Sequence, residues 1–147
     1  MKNVRVFSTS KFIQKKNIHK IIHKLSKYFG LRIISFEINI VSDEIVLELN
    51  KKYLKHNYNT DIITFDYSQI RTNLEGEIFI SFEQAEKNSR RFKNSFESEL
   101  KRLVIHGVLH LVGYNDSTKN EKSKMSKLEN EFLKSFKNLP IIKVENT

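Results

Sequence analysis

His106 and His110 stand four residues apart in the stretch His106-Gly-Val-Leu-His110-Leu-Val-Gly113-Tyr-Asn-Asp116. If that stretch is helical through Val112, the two rings lie one above the other on a single face, with β-carbons about 5–6 Å apart, a separation that suits two ligands of one metal ion. Gly113 falls where a left-handed helix cap is expected, and such a cap turns the chain and brings Asp116 back toward the rings. Two neutral imidazoles and one carboxylate make a three-ligand set for Zn²⁺. The fourth position is left for water, whose pKa falls to about 7 on binding, so the product is a hydroxide nucleophile at neutral pH. A glycine inside a helix costs about 1 kcal/mol relative to alanine, so Gly107 calls for a close approach by another backbone or by substrate.

The plain alternative is that a helical histidine is a core residue with a satisfied hydrogen bond. The helical wheel argues for a cleft instead: Leu100, Leu103, Val104, Val108 and Leu111 form the core-facing stripe, and His106 and His110 fall together at its border. His19 and His23 repeat the spacing of four. They sit on a flank with Lys16, Lys20, Lys24 and Lys27 and have no third ligand near in sequence, so the pattern assigns them to a solvated face.

Positioning these groups requires a small sheet and several helices. Val4 to Ser8 reads as a strand, and residues 12–29 read as a helix through Ile18, Ile21, Ile22, Leu25 and Phe29, closed by Gly30. Residues 32–41 alternate as a half-buried strand, with Ile34, Phe36, Ile38 and Ile40 on one face and Ser35, Glu37 and Asn39 on the other. Ser42 can cap a helix through about Tyr53, whose apolar members are Ile45, Val46, Leu49 and Tyr53. A strand at 62–67, a polar connection at 68–75 and a strand at 76–81 follow, then helices at 82–92 and from about 96. Thr118 and Glu121 form a capping box for a last helix with Met125, Leu128, Phe132 and Phe136 inward, ended by Pro140; residues 141–147 read as a loosely held tail. Strand-helix-strand alternation predicts that the first three strands are parallel, and the short connection after Tyr67 allows the fourth to run antiparallel. The expected fold is α+β: a mixed four-stranded sheet, three strands parallel and one antiparallel, packed with about five α-helices in a single domain spanning 1–147.

At 147 residues and 39% hydrophobic content, the chain is long enough for one real core. The absence of cysteine excludes a disulfide framework and a thiolate metal site. The segment beginning Met1-Lys-Asn lacks the apolar run of a signal peptide, and no stretch is long enough to span a membrane, so a cytoplasmic location is expected. A net charge of +9 suits a polyanionic partner such as nucleic acid, although 20 of the 26 basic residues are Lys, a bias that AT-rich coding alone produces.

His-Gly-x-x-His-Leu-x-Gly-Tyr with a further ligand two positions on resembles the signature of the YbeY family of bacterial endoribonucleases and rRNA maturation factors. Asp116 stands where that family places a third His, and Asn115 where it usually has Asp. A carboxylate is a legitimate zinc ligand, with a charge and affinity that differ from the three-His version. Leu49, Asn50, Tyr53, Thr60, Asp61, Thr64 and Phe65 match a second family motif, which carries an Arg where this chain has Leu54. An Arg beside a hydrolytic metal would hold a phosphate in a bidentate grip, and Lys55 or His56 substitutes only imperfectly. Residues 76–81 resemble the family's Gly-Asp/Glu-apolar strand, which makes Glu77 a candidate proton acceptor beside Thr60 and Asp61. The competing readings are turn chemistry for Thr60 and Asp61 and a structural strand role for Glu77. The spacing is also similar to that of metzincin proteases, but Gly107 occupies the position of their Glu base, which argues against peptide hydrolysis.

The resemblance implies a metal-dependent endoribonuclease acting on single-stranded RNA. It implies one Zn²⁺ held by His106, His110 and Asp116, no nucleotide cofactor, and a role in 16S rRNA maturation and ribosome assembly and quality control, with the small ribosomal subunit and its proteins as partners. The alternative is a non-catalytic ribosome assembly factor in which a structural zinc stiffens the last two helices.

Overall fold

The computed structural model describes residues 3–143. In chain order it consists of β1 (Val4–Ser8), α1 (Lys15–Phe29), β2 (Arg32–Val41), α2 (Asp43–Leu54), β3 (Ile62–Asp66), β4 (Asn73–Ser81), α3 (Phe82–Arg91), α4 (Phe96–Val112) and α5 (Lys119–Ser135). Local signals set most boundaries. Gly30, at φ 63°, closes α1, and the N–H groups of Gly30 and Leu31 bond to the carbonyls of Lys27 and Ser26. Ser42, Ser81, Ser95 and Thr118 each accept the backbone N–H three residues on, and Thr118 with Glu121 completes the capping box. Helix α1 starts at Lys15, later than its apolar pattern suggests, because Ile13 is drawn into an antiparallel bridge with Ile142.

The strands lie in the order β1-β2-β4-β3, with β1, β2 and β4 mutually parallel and β3 antiparallel to β4. The sheet therefore holds three parallel strands and one antiparallel strand, but the odd strand is the third in sequence, not the fourth. Strand β4 takes the central place because it is nine residues long and includes Asn73 to Glu75, which the sequence assigned to the connection. Leu74, Gly76, Ile78 and Ile80 of β4 are all buried, whereas β3, five residues long and ending in exposed Asp66, suits an edge. In β2 the register slips between Ile33 and Ser35. Ile34 is the extra residue of this bulge and is 36% exposed, so the simple alternation fails at that point.

Helix α4 is the element around which the core is built. Leu100, Val104, Ile105, Val108 and Leu109 are fully buried, each contributing roughly 1.5–3 kcal/mol by burial, and α4 packs against α1, α3, α5, β3 and β4. Gly107 permits that packing. A Cβ there would run into Ile78 Cδ1 and come within 3.2 Å of Ile62 Cδ1, so the close neighbour is the sheet's side-chain layer. Helix α5 places Met125, Glu129, Phe132 and Phe136 inward, with Glu129 displacing Leu128 from the expected stripe to its margin. The start of the tail is firmly held. Ile141 is fully buried, and the N–H groups of Ile141 and Ile142 bond to the Glu97 carboxylate at 2.7 and 2.8 Å. The expectation of a loose tail for residues 144–147 lies outside the described residues.

Candidate functional site

Edge strand β3 and helix α4 leave a cleft of about 260 Å³ between them, lined by Thr60, Asp61, Ile62, Thr64, His106, His110 and Asp116. Alternation along β3 turns Ile62 and Thr64 to the same side as their partners Ile80 and Ile78, which is the side on which α4 lies. The Gly113 cap, at φ 120°, bonds back to His110 and Leu109, with the Tyr114 N–H also on Leu109. This turn returns the chain so that Asp116 Oδ2 lies 3.5 Å from His106 Nε2.

The other nitrogen of His106 is held from α5. Nδ1 lies 2.6 Å from Glu129 Oε2, so the carboxylate accepts the Nδ1 proton and Nε2 faces the cleft. Glu129 is itself buried, and its second oxygen accepts from Arg102 Nη1 at 3.0 Å, while Arg102 Nη2 donates to Asn130 Oδ1 at 2.7 Å. Burial opposes charge on His106, but the Glu129 hydrogen bond and charge, with Asp116 and Asp61 behind them, outweigh it and raise the imidazole above its usual 6.5. A field that favours a proton there equally favours another cation. Glu99, one more turn back along α4, is raised above the usual carboxylate range, first by burial and then by the charges of Asp61 and Glu129, against the pull of Arg102 and an Asn88 hydrogen bond.

The donor chemistry fits a divalent ion. Tetrahedral zinc with bonds of 2.0–2.2 Å sets its ligand atoms about 3.3 Å apart, close to the 3.5 Å between His106 Nε2 and Asp116 Oδ2. His110 stacks parallel to His106 with ring centroids 6.3 Å apart, and its buried Nδ1 has no hydrogen-bond partner among the described residues. A buried polar atom left without a partner is one that an ion or ordered water commonly satisfies. As they stand, no three His, Cys, Asp or Glu side chains among the described residues are gathered tightly enough to enclose an ion. His106, His110 and Asp116 all line the cleft, so a three-donor set there requires their side chains to draw closer together.

Of the other residues singled out by sequence, Thr60 and Asp61 line the cleft. The Asp61 carboxylate is held by Asn88 Nδ2 at 2.9 Å, a long-range contact from α3 that a local turn would not need. Glu77 does not belong to the site. It pairs with Phe65 on the face of the sheet opposite α4, because it alternates with Gly76 and Ile78, and its Oε1 accepts from Tyr67 at 3.4 Å. Leu54 is exposed at the end of α2, Lys55 caps that helix at φ 56°, and His56 stacks on Tyr58 with a 2.9 Å hydrogen bond; none of the three lines the cleft. His19 and His23 lie with Lys16, Lys20, Lys24 and Lys27 in a depression on α1 with no carboxylate in its lining.

Glu129, Arg102 and Asn88 are the site residues that sequence reasoning missed. Two of them left a trace: Glu129 falls four residues after Met125, inside the inner stripe of α5, and Arg102 falls four before His106 on the same face of α4.

Fold and cleft together define an α+β protein that sets a buttressed histidine and a carboxylate between an edge strand and its central helix. The family model described as Endoribonuclease YbeY matches residues 3–137. A relative named Endoribonuclease YbeY from Karelsulcia muelleri is 48% identical over 99 residues, covering 66% of this chain and 70% of its own. One of the same name from Bacteroides thetaiotaomicron is 40% identical over 121 residues, covering 82% and 88%. The solution structure of TM1509 from Thermotoga maritima superposes with a TM-score of 0.65 at 28% identity over 92% of both chains. The chain belongs to the YbeY family.

Proposed function

We propose that this protein is an endoribonuclease that cuts single-stranded RNA at the cleft between β3 and α4, with one zinc ion held by His106, His110 and Asp116. The reading joins membership of a family described as Endoribonuclease YbeY to a single observation: His106 Nε2 and Asp116 Oδ2 face one another at 3.5 Å in a cleft that His110 also lines. When bound, such an ion would supply Lewis acidity, lowering the pKa of water and offsetting charge that develops on the phosphate. The protein's own groups do the rest. Glu129 holds the tautomer of His106, and Arg102 holds Glu129. Asp61, fixed by Asn88, is the carboxylate positioned to accept the proton of the attacking hydroxyl, whether from water or from the ribose 2′ position. The substrate in this reading is small-subunit rRNA, and no helix in the described residues is long and apolar enough to cross a membrane.

The test is metal analysis paired with cleavage of a purified single-stranded RNA by chelated and zinc-reconstituted protein. Cleavage lost on chelation and regained with zinc is the expected result, and the end groups of the products identify the attacking hydroxyl. His110→Ala that removes zinc while leaving cleavage unchanged overturns the assignment. Bound zinc without cleavage favours the non-catalytic assembly factor.

A further inference from the structure

A second hollow lies beyond the histidines. Thr64 and Asp66 lie on the same face of β3, two residues apart, and His110 is followed by Leu111 on α4. Asp66, Ser68, Arg71 and Leu111 line this hollow of about 220 Å³, which lies further along the same strand and helix. Arg71 comes from the connection between β3 and β4, which is well tied. The Ser68 N–H donates to Asp66 Oδ1 at 2.9 Å, Ser68 Oγ donates to the Asn73 carbonyl at 2.9 Å, and the Asn73 N–H closes a turn on Ile70 at 2.9 Å.

That loop lays the guanidinium of Arg71 over Gly113. A Cβ on residue 113 would lie 2.7 Å from Nη1 and 3.2 Å from Cζ, so the glycine that turns the chain toward Asp116 also makes room for Arg71. Arg102 is committed to Glu129 and Asn130, but Arg71 takes part in no ion pair or side-chain hydrogen bond among the described residues. Its five N–H donors are available.

Charge along the groove makes this position consequential. Asp61, Asp116 and Asp66 line the two hollows, and Arg71 is the one Lys or Arg side chain in either lining. Taken with the proposed function, a divalent ion offsets two of these carboxylates, and an incoming phosphodiester still meets the third. We propose that Arg71 binds a backbone phosphate of the RNA strand beside the metal cleft, through the planar fork that suits phosphate oxygens. This inference rests on the RNA-cutting role proposed above. The competing account is that Arg71 only complements the carbonyl end of α4, where a cation is favoured in any helix.

The experiment measures binding separately from cleavage. Fluorescence anisotropy of a short labelled single-stranded 2′-O-methyl RNA is recorded for the zinc-reconstituted wild type, Arg71→Gln and Arg71→Lys over a series of KCl concentrations. Thermal melting and zinc content are measured on the same samples. Arg71→Gln is expected to weaken binding about tenfold at low salt and to flatten the slope of log K against log salt by about 0.7, the loss of one single-strand phosphate contact. Arg71→Lys keeps the slope and part of the affinity. An unchanged slope and affinity in Arg71→Gln overturns the inference, as does a lowered melting temperature with the slope intact, which is the signature of a helix-end role. Cleavage of unmodified RNA is followed in parallel. A wild type that does not cut but shows the slope difference sinks only the proposed reaction, and a wild type that cuts with no slope difference sinks only the role of Arg71.

Discussion

A histidine that serves a metal or a proton must have one nitrogen fixed, and here Glu129 does this for His106 at 2.6 Å. Replacing that carboxylate weakens the orientation and the basicity of the ring without touching any donor atom. Glu129→Gln is therefore expected to lower zinc affinity about 10–100-fold, read by competition with a chromogenic chelator, while the protein stays folded. Glu99 makes a second residue-scale prediction. Burial raises its pKa above the ordinary 4.5, so the contribution of Glu99 to stability is fully present below pH 4.5 and is lost as pH rises through the folded-state value. Glu99→Gln removes that pH-dependent loss. Urea melts should show the variant more stable than wild type at pH 7 and the difference shrinking as pH falls toward 4.5. An advantage that grew on acidification would contradict the buried-carboxylate account.

At the scale of elements, the site depends on how closely α4 approaches the sheet. Gly107 sets that distance, because any Cβ there meets Ile78 Cδ1. Gly107→Ala should destabilise the fold by about 1–3 kcal/mol through overpacking, despite alanine's better helix propensity. Ile78→Val removes the opposing methyl, so the double variant should recover part of the loss. A coupling energy measured by denaturant titration and indistinguishable from zero would show that the two positions do not meet. Much of this element was legible in the sequence, since the periodicity of α4, the Gly113 turn and the Thr118 capping box are local features. Gly107 was legible as an anomaly. The reason for it was not, because Ile62 and Ile78 belong to β3 and β4, and nothing local states which strands lie beneath the helix.

For the whole molecule, the balance of charge matters more than any pair. The chain carries a net +9. The ion pairs among described residues with both partners well exposed or at the surface are few, Arg5–Glu37 and Arg90–Glu86, so salt has little attraction to screen. Self-repulsion is the larger effect. The melting temperature should rise on going from low to moderate NaCl, and a fall would mean that attractive surface pairs dominate. The same excess of cations gives RNA a long-range attraction to the protein, yet the groove itself is lined by carboxylates with Arg71 among them.

What the amino-acid sequence determined by itself was set by short-range physics: nine elements near their observed places, the shared face of His106 and His110, and the turn that returns Asp116. Helical and strand periods state which residues share a face, and caps state where an element stops. Tertiary structure alone decided what covers each face. It placed β4 in the centre and β3 at the edge, turned Glu77 away from the cleft, and brought Glu129, Asn88 and Arg71 to it from three other parts of the chain. These choices follow from apolar burial summed over every strand and helix at once, and no window of neighbouring residues contains that sum.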